Sequence, residues 1–174
     1  MQELLPAQQF SIPYYYLAPE DYNKVELFCT VSGDTETGLI NQYVRGWISR
    51  NRPYYLELSK LDAQKRQLTS EQWVDIMLDE GVKGLPQYKH DIGNGEIQPN
   101  PLTHVVMPGG EKIRRNINYI VLAAQNIALL RIAIFYDRDS IAGYISRVVK
   151  EHLDRNWEKL YIPQIEAAKS KDWF

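Results

Sequence analysis

The chain has 174 residues, 24% of them charged and 44% apolar, the balance of one globular domain or two small ones with enough chain to bury a core. Lys and Arg number 20 against 22 Asp and Glu, so the net charge is −2 with a pI near 5.9, which excludes an overall basic coat for nucleic acid and an acidic mimic of one. One cysteine, Cys29, excludes an intramolecular disulfide framework and a cysteine-built zinc site; with no basic-then-apolar start and no apolar run of about 18 residues, it predicts a cytoplasmic chain that neither enters a membrane nor is exported by a signal peptide.

Residues 10–17 are rich in aromatic and β-branched side chains and stop at Ala18-Pro19, which predicts a strand followed by a helix with Pro in its first turn; Pro13 inside it restricts it to an edge. From Pro19, Tyr22, Val25, Phe28 or Cys29, and Val31 recur at helical spacing until Ser32-Gly33. Asp34 or Thr35 then caps a second helix whose apolar face is Leu39, Ile40, Tyr43, Val44, Trp47 and Ile48. Residues 52–110 read as an insert: helices over 54–67 and 70–80, the second capped by Ser70 and ended by Gly81, then a loop over 83–100 and a turn at Pro108-Gly109-Gly110.

Residues 117–122 read as another strand, 123–136 as a helix, and 137–140 as turn and cap before a stripe of Tyr144, Ile145, Val148, Val149 and Leu153. The tail, 157–174, is expected to be helical with an interruption at Pro163. Residues 111–136 contain no Gly or Pro, so they also fit one long helix with Ile113, Ile117, Ile120, Ala124, Ile127 and Ile134 along a broad apolar side. The expected class is mainly α with a small antiparallel β-ribbon, the alternative being an all-α bundle.

The two ends of the chain are related. A shift of 105 residues aligns 10–51 with 115–156 without a gap, and ten positions are identical, among them Ile12/Ile117, Tyr14/Tyr119, Leu17/Leu122, Ala18/Ala123, Asp34/Asp139 and Asn51/Asn156. Charge is not shared evenly: residues 1–51 carry net −3, 52–110 net −2 and 111–174 net +3.

The stretch 9–51 resembles the ribbon-helix-helix DNA-binding proteins, the superfamily of the Arc and MetJ repressors. The resemblance rests on a strand ending Leu17-Ala18-Pro19-Glu20, the helix positions Tyr22 and Val25, the Ser32-Gly33 turn, a polar cap over residues 34–37, and Leu39-Ile40 followed by Val44 and Ile48. It implies two such units in tandem, 9–51 and 111–174, the second carrying the C-terminal helix, around a helical and loop insert at 52–110. The paired strands would enter the major groove of double-stranded DNA, with second-helix N-termini on phosphates.

On that resemblance the nucleic-acid-binding candidates are Tyr14, Tyr16 and Tyr119 on the strands and Thr35, Thr37 and Ser140 at the second-helix starts. Lys112, Arg114, Arg115, Asn116 and Asn118 form a basic polar arm in the one positive segment. If Leu17 faces the core, alternation places Ile12, Tyr14 and Tyr16 outward, with Ile117, Tyr119 and Val121 from the second strand; a register one residue away exposes Pro13, Tyr15 and Leu17 instead. Such a face would meet thymine methyls or phosphates, or be covered by the insert or a protein partner.

Tyrosine supplies 12 of the 20 aromatic residues, so a tyrosine-rich docking surface for a partner or a second copy is the other expectation. His90, His104 and His152 are isolated from one another, His90-Asp91 falls in the loop, Cys29 lies on an apolar helix face, and Asp75, Asp79 and Glu80 read as a solvated face. No phosphate-binding loop, dinucleotide fingerprint, nucleophile elbow or zinc-protease motif occurs, so no catalysis, metal or cofactor is expected. The expected function is a DNA-binding transcription regulator or an accessory protein of a plasmid or mobile-element nucleoprotein complex; the alternative is a helix-rich interaction subunit of a larger assembly.

Overall fold

A computed structural model describes residues 6–80, 102, 105–137 and 139–170, with side chains described outside 77–80. The first strand segments, β1 (Gln8–Ile12) and β2 (Tyr15–Leu17), pair antiparallel with two segments from the far end of the chain, β3 (Ile113–Arg115) and β4 (Asn118–Leu122). Gln8 lies opposite Leu122, Ile12 opposite Asn118, Tyr15 opposite Arg115 and Leu17 opposite Ile113, so the residue numbers in every pair add to 130. Both ladders therefore share one register, interrupted between them at 13–14 and 116–117.

The interruption has a cause on each strand. Pro13 has no N–H to give the ladder. Opposite, Asn118 takes a left-handed φ of 67°, with its N–H on Asn116 Oδ1 at 3.0 Å, and the Tyr119 N–H donates to the Ile117 carbonyl at 2.8 Å. The break resets the alternation, so that Phe10, Ile12, Tyr15 and Leu17 all face inward while Pro13 and Tyr14 turn out together. Ile12 and Ile117, expected outside, are buried. The second strand begins at Ile113, earlier than the hydrophobic run suggested, and the long-helix alternative over 111–136 is overturned, with it the all-α bundle. Pairing with residues 15–17 decides in favour of strand where local propensity does not.

Against the ribbon pack α1 (Pro19–Ser32), α2 (Glu36–Lys65) and α5 (Ile141–Asn156); α3 (Ser70–Glu80) follows α2, and α4 (Ala124–Tyr136) packs on α2 and α3. The 105-residue repeat holds at every helix start: Pro19 matches Ala124, and Glu36 matches Ile141. It holds at the caps as well. Thr35 Oγ1 accepts the Gly38 N–H and Ser140 Oγ the Gly143 N–H, both at 3.0 Å, and Asn51 and Asn156 each donate to the carbonyl four residues back. Gly33, at φ +79°, closes α1 by donating to the Cys29 carbonyl, the left-handed ending that a glycine permits.

The stripes Leu39 to Ile48 and Tyr144 to Leu153 are buried as their spacing predicts, and Lys150 bridges Asp21 and Asp154 to tie α1 to α5. The repeat ends where α2 continues past Asn51. Pro53 does not stop it, because Tyr55, Ser59, Asp62 and Ala63 bury one face of the extension and offset the roughly 3 kcal/mol that an interior proline costs. The cap of α3 is Thr69 rather than Ser70: Thr69 and Gln72 exchange side chain to backbone bonds at 3.1 and 2.9 Å, a capping box. Trp73 on α3 is buried against Phe135 and Tyr136, so this helix packs on α4. After α5, a π-helical turn (Trp157–Tyr161) leads without a break into α6 (Ile162–Ser170), so the helical run continues through Pro163 and its irregularity lies in the π turn just before that proline rather than in an interruption at it. Gly81, the loop over 83–100 with Tyr88, His90, Asp91 and Asn94-Gly95, and His104 lie outside the described residues.

Candidate nucleic-acid interface

The ribbon has one face on the helices and one on solvent. Its outward side carries Gln9, Ser11, Tyr14 and Tyr16 from the first strand and Arg114, Asn116, Tyr119 and Val121 from the second; Tyr14 and Tyr16 are half-buried and the rest exposed. Arg114 stacks its guanidinium 3.7 Å above the Tyr14 ring, and Tyr16 stands beside Tyr14 with centroids 6.4 Å apart. The stack immobilises the arginine without using its N–H groups on any carboxylate of the described residues. The Tyr16 backbone N–H donates to Ser146 Oγ, so this edge of the ribbon is pinned to α5.

The expected residues separate into three groups. Arg114, Asn116, Tyr14, Tyr16 and Tyr119 share the outward face, although Asn116 spends its carbonyl oxygen on the Asn118 turn. Thr35, Thr37 and Ser140 stand exposed at the starts of α2 and α5; Thr35 and Ser140 are the caps themselves. At α5, Asp139 also accepts the Ser140 N–H at 2.8 Å, so a carboxylate already occupies that helix start.

Lys112, half-buried, and Arg115, exposed, are instead engaged with partners inside the chain. The Lys112 ammonium donates to the Pro108 carbonyl, and Arg115 pairs with Glu36 at 2.8 Å and 3.2 Å while Tyr15 donates to the same carboxylate at 2.6 Å. Burial pushes the Glu36 carboxyl upward, but the bonds from Arg115 and Tyr15 outweigh it and hold the group below its ordinary range. Arg115 thus acts as a bracket between ribbon and α2.

Gln9 and Ser11 are the polar outward residues that the sequence reading missed. The signal was present in the alternation Gln9, Phe10, Ser11, Ile12, but carrying one phase through Pro13 put Ile12 on the wrong side. Cys29 is half-buried, with burial raising its thiol, and Asp75 is exposed. Among the described residues no cluster of three His, Cys, Asp or Glu is placed to hold a metal ion, and no described helix is long and apolar enough to cross a membrane. Compared with protein-family models, curated proteins and solved structures, the chain matches none of them.

Proposed function

We propose that this chain is a non-enzymatic, double-stranded DNA-binding regulator or accessory protein of a nucleoprotein complex of the plasmid or mobile-element kind, built as two ribbon-helix-helix units in tandem around a helical insert. The carrying observation is the register: the strands of the two repeats pair with each other, with one face of the ribbon on the helix layer and the other exposing Gln9, Ser11, Arg114, Asn116, Tyr119 and Val121. A ribbon of two strands, about 5 Å apart, is narrow enough for a major groove about 12 Å wide. The outward Gln9, Ser11, Arg114 and Asn116 are side chains that bond base edges.

The test is binding of duplex DNA by the full chain across a salt series. We expect log affinity to fall linearly with log salt, and Arg114→Ala to weaken binding by about 1–3 kcal/mol. Arg115→Ala is expected to act instead through stability, because its partner is Glu36. No binding at low salt overturns the proposal. The reading as an interaction subunit has its own support, since Tyr119 and Val121 expose 43% and 45% of their surface. It predicts that duplex DNA is not bound and that the same face is covered by a protein partner or a second copy.

A further inference from the structure

The shared register and the repeat together define a pseudo-two-fold axis. A shift of 105 relates the two units, and paired residues add to 130, so the axis passes between Ile12-Pro13 and Ile117-Asn118. It carries the pair Gln9 and Val121 onto Arg114 and Tyr16, and relates Ser11 to Asn116 and Tyr14 to Tyr119.

The two faces obey this symmetry differently. Inward, the equivalents Ile12/Ile117, Tyr15/Ile120 and Leu17/Leu122 are all buried, while the outermost pair, Phe10/Arg115, sets a buried phenyl ring against an exposed guanidinium held by Glu36. Outward, only Tyr14/Tyr119 keeps its identity, while Gln9 faces Arg114, Ser11 faces Asn116 and Tyr16 faces Val121 across the axis. Packing therefore keeps the central inward positions equivalent, while the exposed chemistry of the ribbon is not symmetric. One end offers a guanidinium stacked on Tyr14, with Tyr16 beside that ring; the other offers an amide and a hydroxyl beside Tyr119 and Val121. Arg bonds guanine O6 and N7, whereas Gln bonds adenine N6 and N7. An identical-subunit dimer repeats its readers and selects a palindrome; a single chain with two different strands is free of that constraint.

Resting on the DNA-binding reading above, we infer that this protein recognises a duplex site without two-fold symmetry, with Arg114 specifying a guanine in one half and Gln9 specifying an adenine in the other.

The experiment is selection from a randomised duplex library with the full chain. The selected duplex is then compared with two symmetrised duplexes, each carrying one half-site twice as an inverted repeat. The expected motif is not a palindrome, and each symmetrised duplex binds about tenfold or more weakly. Arg114→Ala is expected to relax preference in one half only, and Gln9→Arg to move preference toward the duplex that repeats the guanine-containing half. A palindromic motif, a Gln9→Arg variant with unchanged preference, or salt-dependent binding without enrichment of any sequence overturns this inference while leaving DNA binding in place. Failure to retain any duplex at low salt overturns the proposed function itself.

Discussion

Asp137→Asn is expected to raise stability by about 2 kcal/mol near pH 8 and to change it little near pH 4, because the wild-type carboxyl is ionised in the folded state only at a cost. Asp137 ends α4, half-buried at the turn into α5, and burial pushes its carboxyl up from the usual 3.8 to about 7. Asp139 nearby raises it further; a 2.6 Å bond from the Tyr55 hydroxyl and the charge of Arg147 pull the other way without prevailing. That tyrosine belongs to a buried chain in which Trp47 Nε1 donates to the Tyr144 hydroxyl at 2.8 Å and Tyr144 meets Tyr55 at 3.1 Å. An asparagine keeps an acceptor for Tyr55 and removes the charge.

The sign follows from proton binding. Between about pH 4 and pH 7 the folded carboxyl holds a proton that the unfolded chain has lost, so this group lowers stability as pH rises through that window. His152 acts in reverse. Stacked on Tyr43 and bonded to the Tyr161 hydroxyl at 2.6 Å, it is pushed from 6.5 to about 4 by burial, with Arg155 and Arg50 adding to the effect. There the unfolded chain binds the extra proton, so stability falls as pH drops from 6.5 toward 4. The two slopes oppose each other below about pH 6.5, and only Asp137 acts between there and pH 7. Denaturant unfolding of wild type and Asp137→Asn over this range checks the prediction. Wild type should be nearly flat and then decline, whereas the variant should rise and level off. Parallel curves would show that Asp137 ionises in the folded protein without penalty.

Local chemistry made the helix boundaries legible. Pro19 and Gly33 bracket α1, Thr35 and Ser140 start the paired helices, and the stripes Leu39 to Ile48 and Tyr144 to Leu153 are buried. What escaped a linear reading depends on partners far along the chain. The strand phase resets at Pro13 because the ladder breaks opposite residues about a hundred positions away, and the left-handed Asn118 leaves no mark in composition. Arg115 reads as a free cation until Glu36, 79 residues before it, is placed against it. The run of α2 through Pro53 is likewise decided by what the extension buries. The candidate interface was legible in Tyr14, Tyr16, Tyr119 and Arg114 and illegible in Gln9 and Ser11, whose direction is set by the same break.

Trp73→Ala is expected to destabilise the whole protein by about 3–5 kcal/mol, lowering Tm by roughly 10 °C, since truncation of a fully buried tryptophan removes its contacts and leaves a cavity. Trp73 is fully buried, edge-on to Phe135 with centroids 6.1 Å apart; its Nε1 donates to the Tyr136 hydroxyl at 3.3 Å, and the Arg66 guanidinium lies 4.7 Å above its ring. Tyr136 in turn donates to Asp62 at 2.6 Å, and Arg66 pairs with the other oxygen of that buried carboxylate at 3.1 Å. One indole therefore joins α3, the extension of α2 and α4. Loss of it also exposes an arginine that had an aromatic face to cover it. Trp73→Phe should cost less, about 1–2 kcal/mol, because most of the apolar area stays while the N–H donor and part of the volume go. If the region after Asn51 were an appendage on a self-sufficient pair of repeats, Trp73→Ala would leave the main unfolding transition in place and add a separate, weaker one. The packing of Trp73 on Phe135 and Tyr136, inside a helix of the second repeat, requires instead that a single transition move as a whole.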